Sequence, residues 1–179
     1  MQNIRRVLTI AIIALGTVVV FVDQANSYVS RPIRVSYHDL QQKVRDQIDC
    51  LADNVYFESK GEPIQGQQAV AMVTMNRVKS SNFSNTICEV VKERKHSVCQ
   101  FSWWCDGKLQ HQALQRAFDR RHYQQARAVA LDVYLNYSLI KDITQGALYY
   151  HADYVSKDKI GVRNLRRTVK IGQHIFYRV

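Results

Sequence analysis

The stretch "YHDLQQKVRDQIDCLADNVYFESKGEPIQGQQAVAMVTMNRV", residues 37–78, constrains the fold more than any other part of this 179-residue chain. Leu40, Val44, Ile48, Leu51 and Val55 recur at helical spacing and mark one apolar face. Glu58 continues that stripe, and Gly61 and Pro63 then break the helix. The run "GQQAVAMVTMNRV" is apolar nearly all round, which predicts a second helix buried on most sides. The short link "KGEPIQG" places Glu58 at the edge of the core.

A carboxylic acid at a greasy position is chemically informative. Burial disfavours the charged form and raises a glutamate's pKa, so that near neutral pH it keeps a proton and can donate it as a general acid. A merely solvated helix end is the plainer explanation. Glu62, one turn further on, is either a partner of Glu58 or a surface charge. Asn76 and Arg77 sit on the buried helix, where polar groups must find partners.

Beyond residue 80 the pattern is less regular. Thr86 followed by Glu89 reads as a capping box opening a short helix. "RKHSVCQFSWWCDGK" then reads as a long aromatic loop or irregular hairpin, of the kind that carries binding surface. Helical character returns with Ala113, Leu114 and Phe118, and again with Ala126, Val129, Ala130, Val133, Tyr134 and Tyr137. After Asp142 the period changes. "GALYYHADYV" alternates weakly, and "RTVKI", Gly172-Gln173 and "HIFYRV" predict two strands joined by a tight turn. The expected fold class is α+β, mainly helical, with a small C-terminal β-hairpin or sheet.

The N-terminus differs from the rest. Arg5 and Arg6 precede sixteen uncharged residues, Val7 to Val22, closed by Asp23. That run is shorter than the roughly 20 residues a spanning helix needs, and Ala25-Asn26-Ser27 offers a cleavage site. Residues 1–27 are therefore expected to be a signal peptide or signal anchor, and 28–179 one exported domain. Cys50, Cys88, Cys99 and Cys105 fit an oxidising compartment such as the periplasm. A short Cys99–Cys105 loop would leave Cys50 with Cys88, although the sequence permits three pairings. A metal site on His96, Cys99 and Cys105 matches no familiar zinc spacing, and no metal or cofactor is expected.

The formal charge is +10, and without the two arginines and one aspartate of residues 1–27 it is +9. A polyanionic partner follows. Export argues against nucleic acid and leaves cell-wall polymers, lipopolysaccharide phosphates and anionic membrane lipid. The basic residues are scattered, with one denser run from Arg163 to Lys170.

The motifs "YFESKGEPIQGQQAVAMVTMNRV", "FSNTICEVV", "CQFSWWCDGK", "GALYYHADYV" and "IGQHIFY" resemble, in order, those of the SleB-type cell wall hydrolase family, over roughly residues 46–179. The most specific element runs Glu58 to Pro63, Gly66 to Ala71 and Asn76 to Val78. The resemblance implies a lysozyme-like fold and cleavage of peptidoglycan glycan strands by a lytic transglycosylase, with Glu58 as the catalytic acid. It also implies a sugar groove. Flat rings with polar edges suit such a groove, and the residues expected to bind substrate are Glu62, Phe101, Ser102, Trp103, Tyr149, Tyr150 and His151. Trp103 and Trp104 face opposite ways in an extended chain, so one of the two is expected to reach it. His151 is expected to be hydrogen-bonded in place rather than to act as a base.

A hydrolysing glycosidase needs a second carboxylate about 5 to 9.5 Å from the first, whereas an intramolecular attack needs none. Glu62 and Asp106 are the candidates nearby, and the transglycosylase is favoured over the muramidase-type hydrolase. The competing functions are an N-acetylmuramoyl-L-alanine amidase of the same wall and a basic module that binds wall polymer without cleaving it. The family tends to place a proline and a tryptophan soon after its tyrosine-histidine strand, and "VSKDKIGVRN" has neither. A monomer acting on glycan strands is expected, with membrane association through the N-terminal segment. Phage lysis and bacterial wall remodelling both fit, with a lean to an endolysin because no separate wall-anchoring module is seen.

Overall fold

A computed structural model describes residues 32–95, 97–105 and 119–179. The expected signal segment, His96, Asp106 and the segment carrying Ala113, Leu114 and Phe118 lie outside these residues. After a short 3-10 turn at Tyr37–Asp39, the helices are α1 (Gln42–Ser59), α2 (Ile64–Lys79), α3 (Ile87–Lys92), α4 (Ser102–Cys105) and α5 (Arg120–Asn136). The strands are β1 (Arg94–Lys95), β2 (Val98–Cys99), β3 (Tyr149–Ala152), β4 (Arg166–Ile171) and β5 (His174–Arg178), with a second 3-10 turn at Lys157–Ile160. The fold is α+β, as the change of period predicts.

Helix α1 is central, packing on α2, α3 and α5. Ile48, Leu51 and Val55 of its stripe are completely buried, each contributing about 1.5–3 kcal/mol. Val44 packs against the same core, while Leu40 precedes the first residue of the helix. Ala126, Val129, Ala130 and Val133 of α5 close this core from the other side. Helix α2 serves two cores, which explains why it is apolar nearly all round. Ala71 and Met72 face the helices, whereas Ala69 and Val73 meet Ala147 and Phe176 beneath the sheet.

Strands β4 and β5 form the expected hairpin, turning at Gly172, whose φ is +57°. Strand β3 pairs antiparallel with the other side of β5, giving the order β3-β5-β4. The ladder sets Tyr150 opposite Phe176 and Ala152 opposite His174. At α3 the capping box is realised with a difference. Thr86 accepts from the Glu89 backbone N–H, but its hydroxyl donates to the Glu89 carboxylate, so the glutamate answers the threonine side chain instead of its backbone.

The aromatic loop folds as the two-residue β1-β2 ladder followed by the single turn of α4. Disulfides join Cys50 to Cys88 and Cys99 to Cys105. The sequence separations are 38 and 6, so loop-closure entropy makes the first bridge the heavier brace. Removing Cys50–Cys88 by paired serine substitutions is expected to cost about 4 kcal/mol, and removing Cys99–Cys105 about 2 kcal/mol. Guanidinium unfolding of the two double variants under oxidising conditions checks the order.

Candidate active site

Glu58 sits in the last turn of α1, where the apolar stripe runs out beneath β3. The Tyr150 hydroxyl donates to Glu58 Oε2 at 3.1 Å. Burial pushes the carboxyl's pKa up, and this outweighs the Tyr150 hydrogen bond and the nearby Arg77 charge, both of which pull it down. Tyr150 is itself held far above the usual phenol value by burial and by Glu58, so it remains a donor. The motif glutamate therefore has the environment of a general acid.

Arg77 comes from the adjacent helix, only 5% exposed. Its Nε donates to the Leu148 carbonyl at 2.8 Å, and its guanidinium lies over the rings of Phe83, Phe101 and Tyr149 at 5.1, 4.9 and 5.7 Å. Cation–π contacts with delocalised guanidinium suit such a cage. Burial lowers the Arg77 pKa, while Tyr150, Tyr149 and Glu58 support its charge.

Asn76 fixes the segment leading into β3. Its amide donates to Asp142, Thr144 and the Ala147 carbonyl at 3.0, 3.2 and 3.0 Å, and its oxygen accepts from the Tyr137 hydroxyl. Together Asn76 and Arg77 tie α2 to residues 142–148, and so set the position of Tyr149 and Tyr150. Asn76 and the Arg77 Nε thus find partners on the segment that leads to Tyr150, while the buried Arg77 Nη1 has no hydrogen-bond partner among the described residues.

Beside this constellation lies a cleft of about 460 Å³, lined by Arg77, Phe83, Lys95, Tyr149, Tyr150, His151 and neighbouring residues of β2 and the second 3-10 turn. Glu58, partly exposed, is bonded to the Tyr150 of the cleft wall but is not itself among the described lining residues. Tyr149, Tyr150 and His151 are therefore brought together along one cleft. His151 is hydrogen-bonded at both nitrogens, Nδ1 donating to the Ala152 carbonyl at 2.7 Å and Nε2 bonded to the Tyr177 hydroxyl at 2.9 Å. That arrangement leaves no free lone pair for a base.

Other expected substrate residues are placed differently. Phe101 and Trp103 are buried, at 3% and 8% exposure. Phe101 forms a wall of the Arg77 cage, and Trp103 stacks on Phe57 while its indole N–H donates to Asn54. The α4 turn directs these rings inward because Phe57, Asn54 and Arg77 offer better-matched partners than water. Trp104 is the more exposed indole, covered by the Lys92 ammonium at 5.1 Å. Ser102 is exposed and lies outside the cleft lining. Cys99 and Cys105 are bonded to each other, the short loop that their spacing suggested.

Glu62 is a corrected expectation as well. Its side chain is 7% exposed, and Oε2 accepts the Gln173 backbone N–H at 3.0 Å. Two glycines make room for it. A Cβ at Gly66 would lie 2.9 Å from Glu62 Cβ, and one at Gly172 would lie 1.7 Å from Glu62 Oε2. Gly172→Ala combines this collision with an unfavourable positive φ, and is expected to cost about 2–4 kcal/mol, lowering Tm by roughly 5–10 °C in a thermal melt.

Phe83, Lys95, Ile160 and Val162 line the cleft although their sequence neighbourhoods carry no periodic signal. The only hint was position, since Phe83 and Lys95 flank the capped helix α3. His174, buried under Tyr150, was legible at most as a histidine in an apolar strand.

The family model described as Cell Wall Hydrolase matches residues 61–177, beginning three residues after Glu58. The spore cortex-lytic enzyme of Bacillus cereus is 34% identical over 133 residues, 74% of this chain and 44% of that protein. The spore cortex-lytic enzyme of Bacillus subtilis (strain 168) is 32% identical over 130 residues, 72% of this chain and 36% of that protein. The chain thus spans less than half the length of these curated relatives. Among solved structures, the catalytic domain of the germination-specific lytic transglycosylase SleB from Bacillus anthracis is 31% identical with a TM-score of 0.53, covering 78% of this chain and 98% of that one. The catalytic domain of the Bacillus cereus SleB protein is also 31% identical, with a TM-score of 0.51, covering 75% and 91%. With matches of this extent to a family model and to catalytic-domain structures, the chain belongs to the SleB-type cell wall hydrolase family.

Proposed function

We propose that the chain cleaves peptidoglycan glycan strands as a lytic transglycosylase, with Glu58 as its acid. The observation that carries this reading is a glutamate whose pKa is raised by burial while one oxygen is held by the Tyr150 hydroxyl at the wall of the cleft. In this mechanism the Glu58 carboxyl protonates the oxygen between N-acetylmuramic acid and N-acetylglucosamine. The muramic 6-hydroxyl bonds to C1 as the bond to that oxygen breaks. Its proton passes to the Glu58 carboxylate, which restores the acid and leaves a 1,6-anhydro end. Tyr150 and Arg77 steady the carboxylate in the interval when it is charged, which is when their pull on the pKa serves the reaction.

No carboxylate is among the described residues that line the cleft, and Glu62 is engaged at the hairpin turn, which favours intramolecular attack over a muramidase reaction. Glycan strands are thus the substrate, with Tyr149, Tyr150 and His151 as the sugar-facing residues. The disulfides fit an oxidising compartment. In this reading residues 1–27 deliver the domain to the periplasm as a signal peptide or hold it at the membrane as an anchor. Its role there is host lysis, as for an endolysin, or wall remodelling.

Mass spectrometry of fragments released from purified peptidoglycan tests the reaction. Muropeptides ending in anhydro-muramic acid are the expected product. Reducing-end sugars would make the enzyme a hydrolase, free peptides an amidase, and no fragments a binding protein.

A further inference from the structure

The second glutamate of the motif and the histidine of the hairpin take no direct part in the chemistry above, yet both are buried beside it. His174 is 7% exposed, and its ring meets the Tyr150 ring edge to face, with centroids 5.3 Å apart and planes at 90°. They lie diagonally across the β3-β5 ladder, where aromatic side chains on one face reach each other. His174 Nδ1 has no hydrogen-bond partner and lies 4.0 Å from Glu62 Oε1. Glu62 itself is locked by the Gln173 N–H and by the slot that Gly66 and Gly172 leave open. A continuous set of contacts therefore runs from Glu62 through His174 and Tyr150 to Glu58, joining both carboxylates of one motif through the sheet.

We propose that Glu62 and His174 are positioning residues that hold the Tyr150 hydroxyl on Glu58, governing the acid without touching substrate. This rests on the reading of Glu58 as the acid. Phe176 packs against both Tyr150 and His174, at 5.6 and 6.3 Å between ring centroids, but it carries no polar group that could respond to Glu62. The groups electrostatically facing Glu58 are Tyr150 from β3 and Arg77 from α2. Those facing His174 are Glu62 from the α1-α2 link, Asp153 just after β3, and His151. Burial keeps His174 below its ordinary pKa, although Glu62 and Asp153 pull it the other way.

The expected effect has a definite sign. Activity needs protonated Glu58 and falls as pH rises through its pKa. The Tyr150 hydrogen bond lowers that pKa, so losing it moves the alkaline limb of kcat/KM to higher pH.

The test is a pH profile of kcat/KM on purified peptidoglycan for the full chain, Tyr150→Phe, His174→Ala, Glu62→Gln, and His174→Ala combined with Tyr150→Phe. Tyr150→Phe is expected to shift the alkaline limb upward. His174→Ala and Glu62→Gln are expected to shift it in the same direction and to lower kcat/KM by about 10-fold. His174→Ala is expected to add no shift once Tyr150→Phe is present. A limb that stays in place in both His174→Ala and Glu62→Gln, or an equal His174→Ala shift in both backgrounds, would overturn the proposal. If His174→Ala fails to fold, Glu62→Gln, which keeps the side chain's shape, decides the matter alone. Loss of the alkaline limb in the unsubstituted chain would instead remove Glu58 as the acid, so the two failures are distinguishable.

Discussion

Glu58→Gln is expected to reduce glycan cleavage by about 10²–10⁴-fold while the protein stays folded. Glutamine preserves the size of the side chain and can still accept from the Tyr150 hydroxyl, which now holds Glu58 at 3.1 Å. It has no proton to give to a glycosidic oxygen. The same substitution should raise stability. A glutamate whose folded pKa lies above its unfolded value of about 4.3 contributes its full stability only below that value, and loses it as pH rises through the folded pKa. Near neutral pH the parent has therefore lost stability relative to acid, because its unfolded chain ionises more readily than the folded one, and the uncharged glutamine suffers no such loss. The variant should melt higher near neutral pH, and the difference should shrink below about pH 4. Fragment release and thermal melts at both pH values measure this. An inactive variant that also melts lower near neutral pH would mean that Glu58 holds the fold together and is not a strained acid.

Asn76→Ala is expected to be the most damaging change to stability, at about 3–5 kcal/mol. It removes donors to Asp142, Thr144 and the Ala147 carbonyl, and the acceptor for the Tyr137 hydroxyl, all within a buried site. Activity should fall with it, because residues 142–148 lead directly into the strand bearing Tyr150. A pH signature separates this from general loosening. Burial alone would raise the Asp142 pKa, but hydrogen bonds from Thr144, Asn76 and Gly146 outweigh it and hold the carboxyl below the usual range. A depressed carboxylate supplies stability above its unfolded pKa of about 3.9, and that stability is lost as pH falls through the folded value. Asn76→Ala should flatten this acid loss. Chemical denaturation from near neutral to acid pH checks it, and an unchanged acid slope would show that Asn76 does not support Asp142.

Helices α1 and α2, the hairpin and the candidacy of Glu58 were legible because each leaves a local signature. Ile48, Leu51 and Val55 repeat at the helical period, Gly172-Gln173 interrupts alternating strands, and Glu58 stands where that period demands an apolar residue. The aromatic loop was less legible. Phe101 and Trp103 look like sugar platforms in a sequence, since a ring that packs against Arg77 or Phe57 and a ring that stacks on a sugar have the same composition. Glu62 misled in the same way. Its position one turn from Glu58 suggests a second carboxylate at the cleft, while its true partner, Gln173, is 111 positions away.

The sequence by itself determined the α1-α2 pair, the two-sided burial of α2, the C-terminal hairpin and the candidacy of Glu58, because periodicity and glycine placement act over a few residues. Only the tertiary structure decided that Tyr150 donates to Glu58, that Asn76 and Arg77 carry the approach to β3, and that Glu62 faces a hairpin turn and not the cleft. Those outcomes depend on which buried polar group reaches which distant partner, and the cost of leaving such a group unpaired is settled only when the sheet closes over α2.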